Sequence, residues 1–171
     1  MDDIFFNEGD MEEDTQKGKY MVFKTDGEYY GLELKCVNEI IGIQPITEIP
    51  EVEEYIRGLI NLRGKIIPVI DVRIRFKQQP HEYTDRTCII VVNVKEVIVG
   101  LIVEKIEDVV SINDDDIEPP PSISTSNGRN KYVVALGKSK EKVILLLDPE
   151  KLLGTGDYEL MEELITQEEN E

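Results

Sequence analysis

Residues Tyr55 to Phe76 read YIRGLINLRGKIIPVIDVRIRF, two short apolar runs, Leu59–Leu62 and Ile66–Ile70, held apart by Arg63-Gly64-Lys65. A glycine between two such runs supplies the positive φ of a tight reversal, so the segment predicts a β-hairpin with Arg63 at its tip. Pro68 donates no hydrogen bond, which predicts that its N–H side faces a sheet edge or a bulge. Asp71 is placed to cap a short helical turn over Val72–Phe76.

Outward from this hairpin the same grammar recurs. Lys19–Thr25 and Glu28–Leu34 read as strands joined at Asp26-Gly27, and Val37–Ile43 as a further strand. Pro50, three glutamates and Gly58 predict a short helix over Glu51–Arg57. Lys77–Arg86 reads as a polar link between halves. Thr87–Val94 pairs with Val97–Val103 across Lys95-Glu96, Asp108–Ile112 follows, and Asn113–Asn130 forms a long loop containing Pro119–Pro121. Tyr132–Leu136 and Val143–Leu147 make the last hairpin, and Asp148-Pro149 opens a short helix that Gly154 stops.

The halves repeat. Gly31–Ile41 lies over Gly100–Val110 at an offset of 69, and Ile67–Asp71 lies over Ile144–Asp148 at an offset of 77. Each aspartate of the second match opens a short helix. Two copies of a unit of about five short strands predict a pair of packed barrels with a groove between them.

The chain has 171 residues, 40% of them hydrophobic and none of them Trp, which suits a β-rich core. Its net charge of −17 is concentrated at the ends. Residues 1–16 carry seven acids and no base, and residues 157–171 carry seven more acids and no base. Without those 14 acids, 22 remain against 19 bases, so the body is close to neutral. The expected division is an acidic, flexible tail over 1–18, a domain over 19–154, and an acidic tail over 155–171, where Tyr158, Met161 and Leu164 stand at helical spacing. No apolar run is long enough to span a bilayer. The acidic start is unlike a signal peptide, and the two cysteines, Cys36 and Cys88, have no metal-like spacing. A cytoplasmic protein without a basic stripe is expected, so neither nucleic acid nor membrane insertion is.

Catalytic residue types are sparse. His81 is the sole histidine and lies in the polar link, so no nucleophile–base set is expected around it. No phosphate-cradling glycine motif occurs. Asp114–Asp116 lacks the ligand alternation of a calcium loop, and no cofactor or metal is expected. Glu39 and Asp108 occupy equivalent repeat positions, as paired carboxylates across a groove or as polar caps of strands. Arg63 reads either as an exposed turn arginine or as a held guanidinium offered to a partner's carboxylate. An enzyme using Glu39, Asp108 or His81 and a barrel that binds single-stranded nucleic acid are the competing classes.

The run Gly58–Phe76, with N-L-R-G, I-I-P-V-I-D and R-x-R-F, resembles the CheW-type chemotaxis coupling proteins. So do Tyr30–Leu34, Val37–Ile40, Val99–Val103 and Leu147–Leu153, a likeness covering Lys19 to Gly154. It implies a mainly β fold of two intertwined five-stranded SH3-like barrel subdomains. The implied role is non-enzymatic: an adaptor, monomeric when free, that couples transmembrane chemoreceptors to the histidine kinase CheA in the cytoplasm, at receptor clusters on the inner face of the membrane. A related chemosensory system serving pili or another output is the alternative. The resemblance implies that the receptor's cytoplasmic hairpin tip binds at Val37, Glu39, Ile40, Arg57, Gly58, Asn61, Arg63, Cys88, Ile106 and Val109. It implies further that CheA's regulatory domain binds at the barrel ends. Two departures from the pattern are Cys88, where an aliphatic residue is more usual, and the acidic, proline-rich Glu118–Ser122, which lacks a basic residue at the second kinase contact.

Overall fold

Runs such as CIIVVNV and VIVGLIV are apolar on both faces of a strand, so they need cover on both sides. Two sheets provide it. The computed structural model describes residues 16–120, 131–154, 156, 157 and 159–163. The strands are β1 (Lys19–Thr25), β2 (Glu28–Glu33), β3 (Val37–Gly42), β4 (Ile56–Leu62), β5 (Lys65–Asp71), β6 (Cys88–Val94), β7 (Val97–Val103), β8 (Lys105–Ser111), β9 (Ile117–Glu118), β10 (Val133–Ser139) and β11 (Lys142–Leu147). Two one-turn helices, α1 (Val72–Arg75) and α2 (Pro149–Leu152), follow β5 and β11. Asp71 and Asp148 cap them, accepting from backbone N–H groups two and three residues on and two residues on, respectively.

Four hairpins turn on two residues each: Asp26-Gly27, Arg63-Gly64, Lys95-Glu96 and Lys140-Glu141, all with positive φ at both positions. That is the reversal whose twist matches the flanking strands. One sheet runs β8-β1-β2-β11-β10-β9 and the other β3-β6-β7-β5-β4. Under the 69- and 77-residue offsets these orders are equivalent, strand for strand, apart from β9. Each sheet nevertheless takes strands from both halves of the chain. The chain changes sheet between β2 and β3, at the 3-10 turn Leu34–Cys36, and between β7 and β8, at Glu104. The Lys77–Arg86 link therefore does not join one barrel to the other, as the sequence suggested; it connects two parts of the same sheet.

Both sheets close by one device. After edge strand β3, Thr47 exchanges backbone hydrogen bonds of 2.8 and 2.9 Å with Leu59 on the opposite edge strand, β4. After edge strand β8, the chain returns as β9 beside β10. This closure overrides the helix predicted at Glu51–Arg57. Glu51 has φ 60°, Ile56 N bonds Glu53 O at 3.0 Å, and β4 begins at Ile56. Local charge favoured a helix, but an extended strand is what Thr47 can pair with. Pro68 is neither on an edge strand nor at a bulge, since β5 lies between β7 and β4. It faces Leu59, whose N–H and C=O point away toward Thr47, so no β4 partner is lost. Pairing of β5 with β7 starts one residue later, at Val69.

Alternation along the strands produces three cores. Val22, Ile112, Ile144 and Leu146 fill one barrel, and Ile60, Ile67, Val69, Ile89, Val91 and Ile102 fill the other. The intervening positions, including Met21, Phe23, Ile90, Val92 and Leu101, meet in a larger central core. Phe23, Tyr30, Phe76 and Tyr132 form a column there, with successive ring centroids 5.6, 5.1 and 5.3 Å apart. Residues 156, 157 and 159–163 are helical, and Met161 is fully buried in this core. Asp157 accepts from Tyr55 Oη at 2.5 Å and from Gly154 N at 2.7 Å. The folded body therefore continues past Gly154, where the sequence had suggested a boundary. Residues 1–15, Tyr158 and Leu164 lie outside the described residues.

Candidate functional site

The outer strands β3 and β8 occupy equivalent edges of the two barrels. Each carries one extra residue relative to its neighbour: Asn38 against β6 and Glu107 against β1. Such a bulge shifts the alternation by one. Val37 and Ile40 consequently point to the same face, opposite Val92 and Ile90, while Ile106 and Val109 lie opposite Phe23 and Met21. All four of those partners belong to the central core. Cys88, opposite Gly42 on β3 and Val103 on β7, packs on the same side. Thus Val37 and Ile40 on one barrel, and Ile106 and Val109 on the other, lie on the core-facing sides of equivalent edge strands, with Cys88 on the same side of its own strand. Val37, Cys88 and Ile106 are half-buried, whereas Ile40 and Val109 remain 37% and 42% exposed.

Glu39, Asn61 and Arg63 lie at the mouth of the barrel formed by β3 to β7. Glu39 faces Val91, over a hollow lined also by Leu62, Ile67 and Ile98. Arg63 at the hairpin tip forms an ion pair with Glu39, so it is not the unattached guanidinium that the sequence allowed. Its positive φ of 52° and its carboxylate partner fix both backbone and head group. Asn61 Oδ1 accepts from Gly64 N at 2.8 Å and buckles the turn, as Asn93 does for Glu96 N at 3.1 Å.

The remaining two expected residues serve the barrel. Arg57 is the extra residue of a bulge in β4 and lies against Tyr83, whose hydroxyl donates to Asp71 Oδ2 at 2.7 Å. Burial, then that hydrogen bond, pushes the Tyr83 phenol well above its ordinary range. Gly58 is buried with φ 143°, and a Cβ there would stand 2.1 Å from Thr47 O. Glycine at 58 is required by barrel closure.

Chemistry elsewhere is limited in the same way. Glu39 and Asp108 do not face one another as an acid–base pair: Glu39 holds Arg63, and Asp108 Oδ1 accepts from Val109 N at 2.7 Å. His81 is exposed, its Nδ1 3.2 Å from Gln79 O. Burial pushes the thiols of Cys36 and Cys88 up, toward the unreactive protonated form. One polar cluster was not visible in the sequence. Buried Arg73 donates to Glu104 at 3.0 Å, and Asp26 N donates to the same carboxylate oxygen at 3.0 Å. Glu104 is the residue at which the chain changes sheet, so this cluster ties α1 to the first hairpin. The backbone bond from Asp26 is the leading reason that the Glu104 carboxyl sits below its usual range. Among the described residues no helix is long and apolar enough to cross a membrane.

Two closed barrels sharing a core, with the equivalent edge strands β3 and β8, define a double-barrel β fold. The chain belongs to the CheW-like domain family, which matches residues 19–156. It is 34% identical over 144 residues to the chemotaxis protein CheW of Klebsiella aerogenes, covering 84% of this chain and 86% of that one. To the Bacillus subtilis chemotaxis protein CheW it is 33% identical over 135 residues, 79% and 86% of the two chains. The solved scaffolding protein TtCheW of Thermoanaerobacter tengcongensis is similar with a TM-score of 0.75 and 36% identity, over 82% of this chain and 94% of that one.

Proposed function

We propose that the protein is a non-enzymatic chemotaxis adaptor that couples transmembrane chemoreceptors to the histidine kinase CheA in the cytoplasm, at receptor clusters. The observation that supports this reading is that equivalent edge strands of the two barrels carry matching apolar pairs, Val37 and Ile40 on one and Ile106 and Val109 on the other, in a chain of the CheW-like family. An amphipathic helical hairpin tip buries its apolar face in a groove between such strands. Arg63, oriented by Glu39, stands at the rim as a charge-assisted donor for a partner carboxylate. Gly58 and Arg57 act at one remove, by closing the barrel on which Arg63 is carried. The regulatory domain of CheA docks at a barrel end, away from the groove, so that a free monomer bridges the two partners.

The test is binding of a chemoreceptor cytoplasmic hairpin fragment and of the CheA regulatory domain to the full chain and to Ile40→Asp and Val109→Asp. Both residues are exposed, so the variants should fold. Receptor binding should drop at least tenfold with kinase-domain binding retained. Unchanged receptor binding, or equal loss of both partners in folded protein, would refute the assignment of the groove.

A further inference from the structure

We propose that the acidic segment 1–15 is an internal competitor for the inter-barrel groove, docking there through Ile4-Phe5-Phe6. The regulatory role rests on the proposed function of the groove; the docking itself does not.

The edge strands β3 and β8 carry exposed apolar residues. Ile40 and Val109 are two of the exposed large hydrophobic residues among the described residues, and they stand at equivalent positions on β3 and β8. The chain enters the fold beside them. Lys19, the first residue of β1, pairs with Ser111 on β8, and Met21 pairs with Val109, at the roughly 5 Å spacing of neighbouring strands. Just before Lys19 the chain leaves the line of the strand: Gly18 has φ 75°, and its carbonyl accepts from Ile112 N at 2.9 Å.

The length suffices. Phe6 is ten residues before Gln16, a reach of up to about 33 Å. Ile106 and Val109 are about 10 Å apart along β8. The composition fits too. Residues 1–16 hold seven acids, yet Phe5 and Phe6, two of the four phenylalanines of the whole chain, stand adjacent in them beside Ile4. Aromatic side chains are costly to leave in water, and exposed Val109 stands on β8 two residues from Ser111, the partner of Lys19.

Tethering makes a weak contact effective. A segment joined by a short linker is present at an effective concentration of around 1 mM. A docking constant of about 0.1–1 mM would then lower the apparent affinity of the groove for an outside ligand by about two- to tenfold.

The protein has no tryptophan, so Phe5→Trp in the full chain is a unique reporter. Its emission should be blue-shifted and shielded from acrylamide at every protein concentration. Ile40→Asp combined with Val109→Asp should release it to a water-like spectrum without changing the melting curve. Emission that is water-like from the start, or unaffected by the two substitutions, would overturn the inference. So would shielding that grows with concentration, which would mean a second copy occupies the groove. In a second arm, Ile4→Ser, Phe5→Ser and Phe6→Ser are combined in the full chain. This variant should bind a chemoreceptor cytoplasmic hairpin fragment about two- to tenfold tighter than the native chain. Equal affinity would overturn the competitor role. Failure of both chains to bind the fragment would instead sink the proposed function and leave the docking result standing.

Discussion

Gly58→Ala tests whether this glycine closes a barrel. The added Cβ would stand 2.1 Å from the carbonyl oxygen of Thr47 and 2.8 Å from its carbon, on a backbone at φ 143°. Both obstacles are backbone atoms, so no side-chain rotation relieves them. Holding a residue with a Cβ in such a conformation costs about 1–3 kcal/mol. As Thr47 moves away from the added Cβ, the two bonds it exchanges with Leu59, 2.8 and 2.9 Å long, are lost at about 1 kcal/mol each. Strain and lost bonds together give an expected destabilisation of about 3–5 kcal/mol, which for a chain of this size lowers Tm by about 6–20 °C. Thermal and urea melts would measure the loss, and hydrogen exchange should locate it at the Thr47 and Leu59 amides. Receptor-fragment binding should fall only as far as the fold does. An alanine variant that melts within about 2 °C of the native chain, with both amides still protected, would refute the closure role. Combined with a specific binding defect, that result would return Gly58 to the binding surface.

Arg63→Ala breaks an exposed ion pair and should cost less than about 1 kcal/mol of stability, while receptor-fragment binding weakens about tenfold or more; Arg63→Lys should recover only part of the binding, as titration calorimetry beside a melt would check. Met161→Ala empties a fully buried site in the central core and should cost about 2–5 kcal/mol in urea denaturation; a change below about 0.5 kcal/mol would mean that the C-terminal helix does not dock. Glu104, whose carboxyl sits below its usual range when folded, adds stability at neutral pH that is lost as pH falls through the folded value. Glu104→Gln should therefore flatten the acid limb of the stability–pH curve, and an unchanged limb would count against the Arg73–Glu104–Asp26 cluster. Tyr55, with its phenol held well above 10.0 by burial and by Asp157, adds stability that is lost as pH rises above about 10; Tyr55→Phe should reduce that alkaline loss and leave the share that Tyr83 contributes, as a melt series from pH 8 to 11 would show.

The sequence by itself determined the hairpins, because each depends on neighbours. Asp26-Gly27 and Arg63-Gly64 supply positive φ where a two-residue turn needs it, and Asp71 and Asp148 cap helices one turn long. It also determined the duplication, since the 69- and 77-residue offsets recur as equivalent strands in the two sheets. The equivalence of Val37 and Ile40 with Ile106 and Val109 was legible through that duplication. The bulges at Asn38 and Glu107, which turn each pair to one face of its strand, were not, because a bulge is a relation between two strands and leaves no local signal.

Tertiary structure decided what depends on distant segments. The exchange of strands between halves is invisible in a repeat, because a swapped and an unswapped pair of barrels bury the same residues. Glu51–Arg57 carries helix signals, yet pairing with Thr47 extends its last residues into β4. Arg63 looks unattached in sequence because its partner, Glu39, lies 24 residues away and reaches it only when the barrel closes. Gly58 likewise reads as a helix stop until the carbonyl of Thr47 is brought against it. In each case local propensity differs by about 1 kcal/mol or less between alternatives, and closing a barrel over its own core outweighs it.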